Sequence, residues 1–436
     1  MVRTTVGVRV AFAGVLISCG SHGEASSSSG KNAGSSAGVS SGEAATSGGS
    51  AGAGAIVTES PDAPPFTAEC VSAGDAGGLS TWEDITPKGP NLPCDPLENY
   101  GFQSIDGAKA DAPGTIYVGT CLQGVWKTTN GGESWSKAST GTYTDNNGQP
   151  DPTGNVLDQG RNWTLAVDPS NSNVVYTVNG YGNAQGLWKS TDGGVDWKQI
   201  LTPEVFSLTP DVYRISIDPL DSQHLLVSFH SPWNFGQDAG IVESHDGGTT
   251  WTQHPAVAGW GAGHYVFFLG QDDTGKPSSD VWLLATQGDG FWRTTNAGQA
   301  WSQVVPASAH NMQHGGEEIY RTKGGDLFMG AVSTLLQSTD NGRTWVAVDP
   351  SATDGYNAVI GDGVYLYAQP ANTGMATKSN GYSYAQETDG TPWMPYGTQT
   401  FTDGPMDMIF DPLTGVVYSS NWCAGVWRLK TGHCGP

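Results

Sequence analysis

The chain has 436 residues, 37% of them hydrophobic and only 14% charged, so it can bury a large core, and its 62 glycines and 25 prolines point to strands and tight turns rather than helices. Nineteen Lys and Arg stand against 42 Asp and Glu, a formal charge of −23. That balance argues against the clustered cationic surface on which phosphate-backbone binding rests, so nucleic acid is not an expected partner.

In chain order, Arg3 and Arg9 precede an apolar run from Val10 to Ile17, the order of a secretory leader and too short for a spanning helix. The run ends Leu16-Ile17-Ser18-Cys19, which resembles a bacterial lipobox. The resemblance implies removal of residues 1–18, acylation of Cys19 and a protein held by lipid at the bacterial cell envelope, at the surface or in the periplasm. Residues 19–65 are dominated by Ser, Gly and Ala with few large apolar side chains, so they cannot bury enough surface to offset ordering and read as a tether. A Gly/Ser coil of that length reaches roughly 35–40 Å.

Residues 66–436 read as one all-β domain. A string returns five times: "KTTNGGESWSKA" from Lys127, "KSTDGGVDWKQI" from Lys189, "ESHDGGTTWTQH" from Glu243, "RTTNAGQAWSQV" from Arg293 and "QSTDNGRTWVAV" from Gln337. Its tryptophans, Trp135, Trp197, Trp251, Trp301 and Trp345, are 62, 54, 50 and 44 residues apart, within the range of a four-stranded repeat. "ETDGTPW", ending at Trp393, is a worn sixth copy. Upstream of each lie an apolar run with a turn, as in "LAVDPSNSNVVYTV" from Leu165, and a third run such as "GLWKS" from Gly186. Four short strands joined by tight turns make a meander blade. The last unit stops after "GVWRLKTG" without a Trp strand, whereas "STWEDITP" from Ser80 is a Trp strand without its three predecessors. Joining the Trp82 strand to the last unit predicts a single seven-bladed propeller with no open edge.

On the pattern Ser/Thr-x-Asp-x-Gly-x-x-Trp, residues 80–430 resemble the Asp-box (BNR repeat) β-propellers, a group that includes sialidases, xyloglucan-active glycoside hydrolases, sortilin-type receptors and photosystem assembly factors. The string itself reads as scaffold. Asp192 or Asn130 accepts hydrogen bonds from its own turn, Gly194 or Gly132 permits positive φ, and the Trp ring packs beneath. The resemblance implies that these boxes lie on the rim opposite the binding face.

The opposite rim carries long connections rich in aromatics, amides and histidines. Trp163, Trp233, Trp260 and Trp422 are candidate platforms for sugar rings, with Arg161, His230, Tyr213 and Tyr265 beside them. Aligning the innermost strands places Thr164, Arg214, Glu318 and Asp407 in equivalent positions where those strands begin, with Glu317 one step outward. Two carboxylates and an arginine would then converge as general acid and base or nucleophile for glycoside hydrolysis. The bland alternative is an inter-blade ion pair of Arg214. His264 or Tyr265, with the nearby histidines, would instead serve a polysaccharide lyase. His310, His314 and Glu317 have the spacing of a divalent-metal site, although Gly315 and Gly316 oppose the helix it needs; no cofactor is otherwise required.

A sialidase would gather Arg161, Arg214 and Arg321 about one carboxylate, but its arginine-bearing entry strand should precede the first box and here follows two. Xyloglucan-active hydrolases usually join two propellers across a cleft, only one fits here, and their catalytic aspartates do not map onto this chain. The Cys-rich modules of sortilins and the basic patch of the photosystem factors are absent. Cys121 and Cys423 hold corresponding positions in the first and last blades, so their pairing would staple the ring, with Cys70 bound to Cys94 or Cys434. The expectation is a lipid-anchored monomer whose long-looped face cleaves a glycan by hydrolysis or elimination, or binds a glycan or protein without cleaving it.

Overall fold

The structure, a computed structural model, describes residues 80–90, 101–151, 154–181, 185–202, 211–233, 237–312, 318–348, 355–370, 380–388, 390 and 392–434. The leader, the tether, Cys19, Cys70, Cys94, His314 and Glu317 lie outside the described residues.

Seven antiparallel meanders form the blades of a propeller. Their innermost strands are Phe102–Gly107 (blade I), Leu165–Val167 (II), Val212–Asp218 (III), His264–Phe268 (IV), Ile319–Arg321 (V), Tyr356–Gly361 (VI) and Asp407–Asp411 (VII). Blade VII takes its outermost strand from the start of the domain: Glu83 pairs with Arg428 and Asp84 with Trp427. Each sheet is sandwiched between two others, so its inner strands are buried on both faces and read as near-continuous apolar runs. Leu225 to Phe229 is such a run, whereas the outer strand Thr252–His254 is exposed and polar. Where blades II and III meet, Tyr176, Val178 and Leu187 pack with Ile215, Leu225, Val227 and Val242.

The long segment ahead of Trp163 is not wholly a rim connection. Tyr143–Thr144 adds a fifth, parallel strand to the outer edge of blade II, pairing Tyr143 with Trp197. Burial of the Tyr143 ring edge-on to Trp188, with centroids 5.9 Å apart, holds it there.

The repeated strings are turn locks. In blade II, Ser190 Oγ–H donates to Asp192 Oδ1 (2.7 Å), Gly194 N–H donates to Ser190 Oγ (2.9 Å), and the N–H groups of Val195 and Asp196 donate to Asp192 Oδ1. Asn130 accepts the same bond from Ser134 N–H at 2.9 Å, which is why Asn serves where Asp does. Just before the second glycine the backbone is left-handed even where the residue is Ala297 (φ 51°) or Asn341 (φ 60°). Trp197 Nε1–H returns to its own turn at Gly194 O, whereas Trp251 and Trp135 reach the preceding blade at Ile200 O and Ile85 O.

A second device recurs on this rim. A cation on the third strand donates to a turn carbonyl of the next blade: Lys189 to Gly247 O (2.9 Å), Arg293 to Asn341 O (2.9 Å), and Arg428, across the ring join, to Gly131 O (2.7 Å). The expected Cys121–Cys423 staple does not form. Cys121 is a buried thiol in no disulfide, and Cys423 and Cys434 are disulfide-bonded elsewhere. Occupying equivalent positions in neighbouring blades does not bring two sulfurs into bonding range.

Candidate functional site

The innermost strands begin on the rim opposite the turn locks. There Arg214 of blade III meets Glu318, the residue preceding the inner strand of blade V, with Nη2 2.7 Å from Oε1 across 104 residues of chain. The guanidinium also lies over the rings of Tyr265 (5.6 Å) and Phe267 (5.0 Å) on the intervening blade IV. Arg214 and Glu318 line a cavity of about 500 Å³ that follows the inner strands to Lys109 and Arg321 at their far ends.

Asp407 does not join them. Its Oδ2 accepts Ile105 N–H of blade I (3.2 Å) and its Oδ1 accepts Met408 N–H (2.9 Å), so the carboxylate sits in the joint between blades VII and I and is absent from the cavity wall. Of the expected trio, the fold brings two together. The pair is the inter-blade ion pair anticipated as the bland reading, placed on a cavity wall.

Beside it lies a polar and aromatic cluster. Tyr213 receives a hydrogen bond from Gln287 Nε2 (2.8 Å) and packs on His230 and Tyr265, with centroids 4.7 and 4.4 Å away. His230 Nδ1 is 3.0 Å from Asp211 Oδ2, and the Tyr181 hydroxyl donates to the same oxygen at 3.1 Å. Ser231 Oγ–H donates there as well. Burial raises the pKa of Asp211, but its hydrogen bonds to His230, Ser231 and Tyr181 and the His230 charge outweigh it, and the net shift is downward. Burial, and then Asp211, push the Tyr181 phenol above its ordinary value. Arg161 lies over both Trp163 (5.0 Å) and Tyr181 (5.1 Å). Arg161, Tyr213, Tyr265 and His230 thus gather as expected neighbours, but Arg161, Tyr213 and Tyr265 are buried and offer no open face to a sugar, contrary to their expected role; Tyr181 and Asp211 belong to no repeat. A lone aromatic between two glycines, Gly180-Tyr181-Gly182, was the available signal for the first.

The four expected platforms are buried: Trp163 at 8% exposure, Trp233 at 3%, Trp260 at 0% and Trp422 at 7%. Trp233 packs edge-on to Phe229 of its own blade, and Trp260 edge-on to Trp301 of blade IV, in the core between blades III and IV. Rings of this size are drawn into whatever apolar cover the loops supply. Tyr181, 38% exposed, is the ring this cluster shows to solvent.

His264 is also withdrawn. It is fully buried, donates from Nε2 to Ala239 O (2.8 Å), and burial lowers its pKa to about 4, so it is a neutral core imidazole at pH 7. Arg321 turns to the turn-lock rim, donating to Gly325 O, Leu269 O and Asn341 Oδ1, so the three arginines of a sialidase do not assemble. His310 is half-buried; the two residues expected to share a metal with it, His314 and Glu317, are not among the described residues.

No protein-family model matches the chain. It is similar to a xyloglucanase of Hypocrea jecorina, 28% identical over 227 residues, which covers 44% of this chain and 26% of that protein. A xyloglucanase of Acetivibrio thermocellus is 22% identical over 324 residues, covering 62% and 35%. The chain therefore spans about a quarter to a third of the length of these curated relatives. Among solved structures, the GH74 xyloglucanase from Xanthomonas campestris superposes with a TM-score of 0.57 at 16% identity, over 81% of this chain and 54% of that one. YCF48 from Cyanidioschyzon merolae does so with a TM-score of 0.50 at 13% identity, over 80% and 98%. At these identities the superpositions show a shared seven-bladed propeller fold.

Proposed function

We propose that the chain is a glycoside hydrolase-type propeller that handles an extracellular polysaccharide on the rim opposite its turn locks, with Glu318 as the acting carboxylate and Arg214 positioning it. The observation that carries this reading is the Arg214–Glu318 pair on the wall of the 500 Å³ cavity, flanked by Tyr213 and Tyr265. A carboxylate held in one place beside a cavity can serve as acid, base or nucleophile at a glycosidic bond. The sequence likeness to xyloglucanases supports a polysaccharide as the ligand and makes xyloglucan the first to test. Cys19 acylation would hold the propeller on its tether at the cell envelope.

A second reading, binding without cleavage, is favoured by a specific observation. Among the described residues, two further carboxylates on the inner strands are committed: Asp407 to Ile105 N–H and Asp106 to Val167 N–H and Lys109. One experiment separates the two. Wild-type protein and Glu318→Gln, each also carrying Cys19→Ala to release it from the membrane fraction, are incubated with a polysaccharide panel and read for reducing ends, unsaturated uronate and binding. Hydrolysis that falls at least about a hundredfold in Glu318→Gln while affinity stays within a few-fold supports the first reading. Binding without turnover in the wild type supports the second, and absence of both overturns the carbohydrate assignment.

A further inference from the structure

The five strings permit a comparison inside the chain itself. At the third-strand position where blades I, II, IV and V carry Lys127, Lys189, Arg293 and Gln337, blade III carries Glu243. Two residues later, where the others carry Thr129, Thr191, Thr295 and Thr339, it carries His245. Three residues beyond the Trp, in place of Ala138, Ile200, Val304 and Val348, it carries His254. Six residues after the first-strand Asp, where blade II has Val174, it has His224. Blade III has thus given up the cation that latches other blades together and placed three imidazoles about one carboxylate.

The side chains converge on the turn-lock rim, far from Arg214 and Glu318 along the strands. His224 Nε2 is 2.8 Å and His245 Nε2 3.2 Å from the same Glu243 oxygen, and the ligating atoms of the three residues lie within 4.8 Å of one another. The fully buried Asp218 carboxylate accepts the Nδ1–H of His224 at 2.9 Å, which holds that ring with Nε2 turned to Glu243. His254 Nε2 grips the second Glu243 oxygen at 2.7 Å. The rings of His224 and His245 stack 4.3 Å apart, and the His245 side chain is 67% exposed, so one side of the cluster is open to solvent.

We propose that His224, Glu243 and His245 form a divalent-metal site of the zinc class, with Asp218 and His254 as the residues that orient its ligands. Two imidazole nitrogens and one carboxylate oxygen are a donor set for zinc, and an outer carboxylate on the ligating His is the usual partner that fixes its tautomer. Donors on a tetrahedral zinc at about 2.0–2.1 Å stand roughly 3.3 Å apart, so the observed 2.8 and 3.2 Å open by a few tenths of an ångström, while the two imidazole nitrogens, within 4.8 Å of each other, close on the ion through rotation of the exposed His245 ring. The ion replaces the protons now shared between the imidazoles and Glu243, which pass to solvent. The fourth position faces the open side and takes water. Bound metal would tie the second strand, Asp221–Phe229, to the third, Ile241–Ser244, and its turn, at the strand position from which a cationic latch serves blades II, IV and VII.

The test is calorimetric titration of the chelator-stripped full chain with Zn²⁺ alone, in buffers of different ionisation heat. Expected are one equivalent bound with a dissociation constant at or below about micromolar, proton release, and a melting temperature that rises with zinc. His245→Ala, at an exposed position, should weaken binding at least about a hundredfold without lowering the metal-free melting temperature. Asp218→Asn should weaken it about 10–100-fold as an orienting residue, and His310→Ala should leave it unchanged. Absence of saturable one-equivalent binding in the wild type, or wild-type affinity in His245→Ala, overturns the site. So does loss of the titration in His310→Ala alone, which would move the metal to the opposite rim.

Discussion

The two rims of this propeller are built on different principles. On the turn-lock rim one string recurs, and each copy satisfies its own backbone within a few residues, as Ser190 and Asp192 do for Gly194, Val195 and Asp196. On the opposite rim the turn before the third strand repeats only in part, as where Thr120 donates to Gly124 O and Thr286 to Gly290 O, and the residues of the candidate site belong to no repeat. Arg214 stands on blade III, Glu318 on blade V, Tyr181 between strands of blade II, and Asp211 ahead of blade III, and what joins them are contacts between blades. Where a position repeats, it holds the scaffold; where a blade departs from its siblings, there is chemistry to account for. Blade III obeys that rule even on the regular rim, because Glu243, His245 and His254 replace residues that elsewhere latch or pack.

The contrast can be broken by measurement, most severely on the irregular rim. His264 has its folded pKa depressed to about 4 from 6.5 by burial, so the unfolded chain binds the extra proton between those values. Its contribution to stability is therefore complete above pH 6.5 and is lost as pH falls through 4. Denaturant unfolding at pH 7.5 and 4.5 should show the wild type losing about 2 to 3 kcal/mol more than His264→Gln over that interval. Equal losses would mean that the site is open enough to hydrate an imidazolium.

The latch comes next in size. Arg428, 6% exposed, donates to Gly131 O and pairs with Glu83 and Glu133 across the ring join. Arg428→Met should cost about 1.5–3 kcal/mol, the range for hydrogen bonds to a charged group, read as a lower denaturant midpoint. A neutral result would show that apolar packing alone closes the ring. The smallest effect belongs to the turn locks. Asp192→Asn should change stability by less than about 0.5 kcal/mol, because Asn130 and Asn296 do the same work, whereas Asp192→Ala should cost about 1 kcal/mol. If the Asn variant is as damaging as Ala, the carboxylate has a role beyond its own turn.

Blade number, strand order and the scaffold role of the repeated string are legible in the sequence because each depends on short-range chemistry: a side-chain oxygen reaching four residues ahead, a glycine at positive φ, apolar runs of strand length. The placement of Arg214 and Glu318 at the start of inner strands follows from the same alignment. Their meeting at 2.7 Å does not, nor does the withdrawal of Asp407 to a backbone N–H 302 residues away. Side-chain direction at an inner strand depends on which neighbouring blade offers a partner. The same limit explains Trp163, Trp233, Trp260 and Trp422, whose exposure depends on how loops fold back over them, and Cys121, whose distance from Cys423 no repeat alignment can measure. His224, Glu243 and His245 stood in the sequence as departures from a repeat. Their convergence was decided only by the packing of three segments of blade III, since strand register sets which side chains stand side by side and tertiary burial sets which atoms face each other.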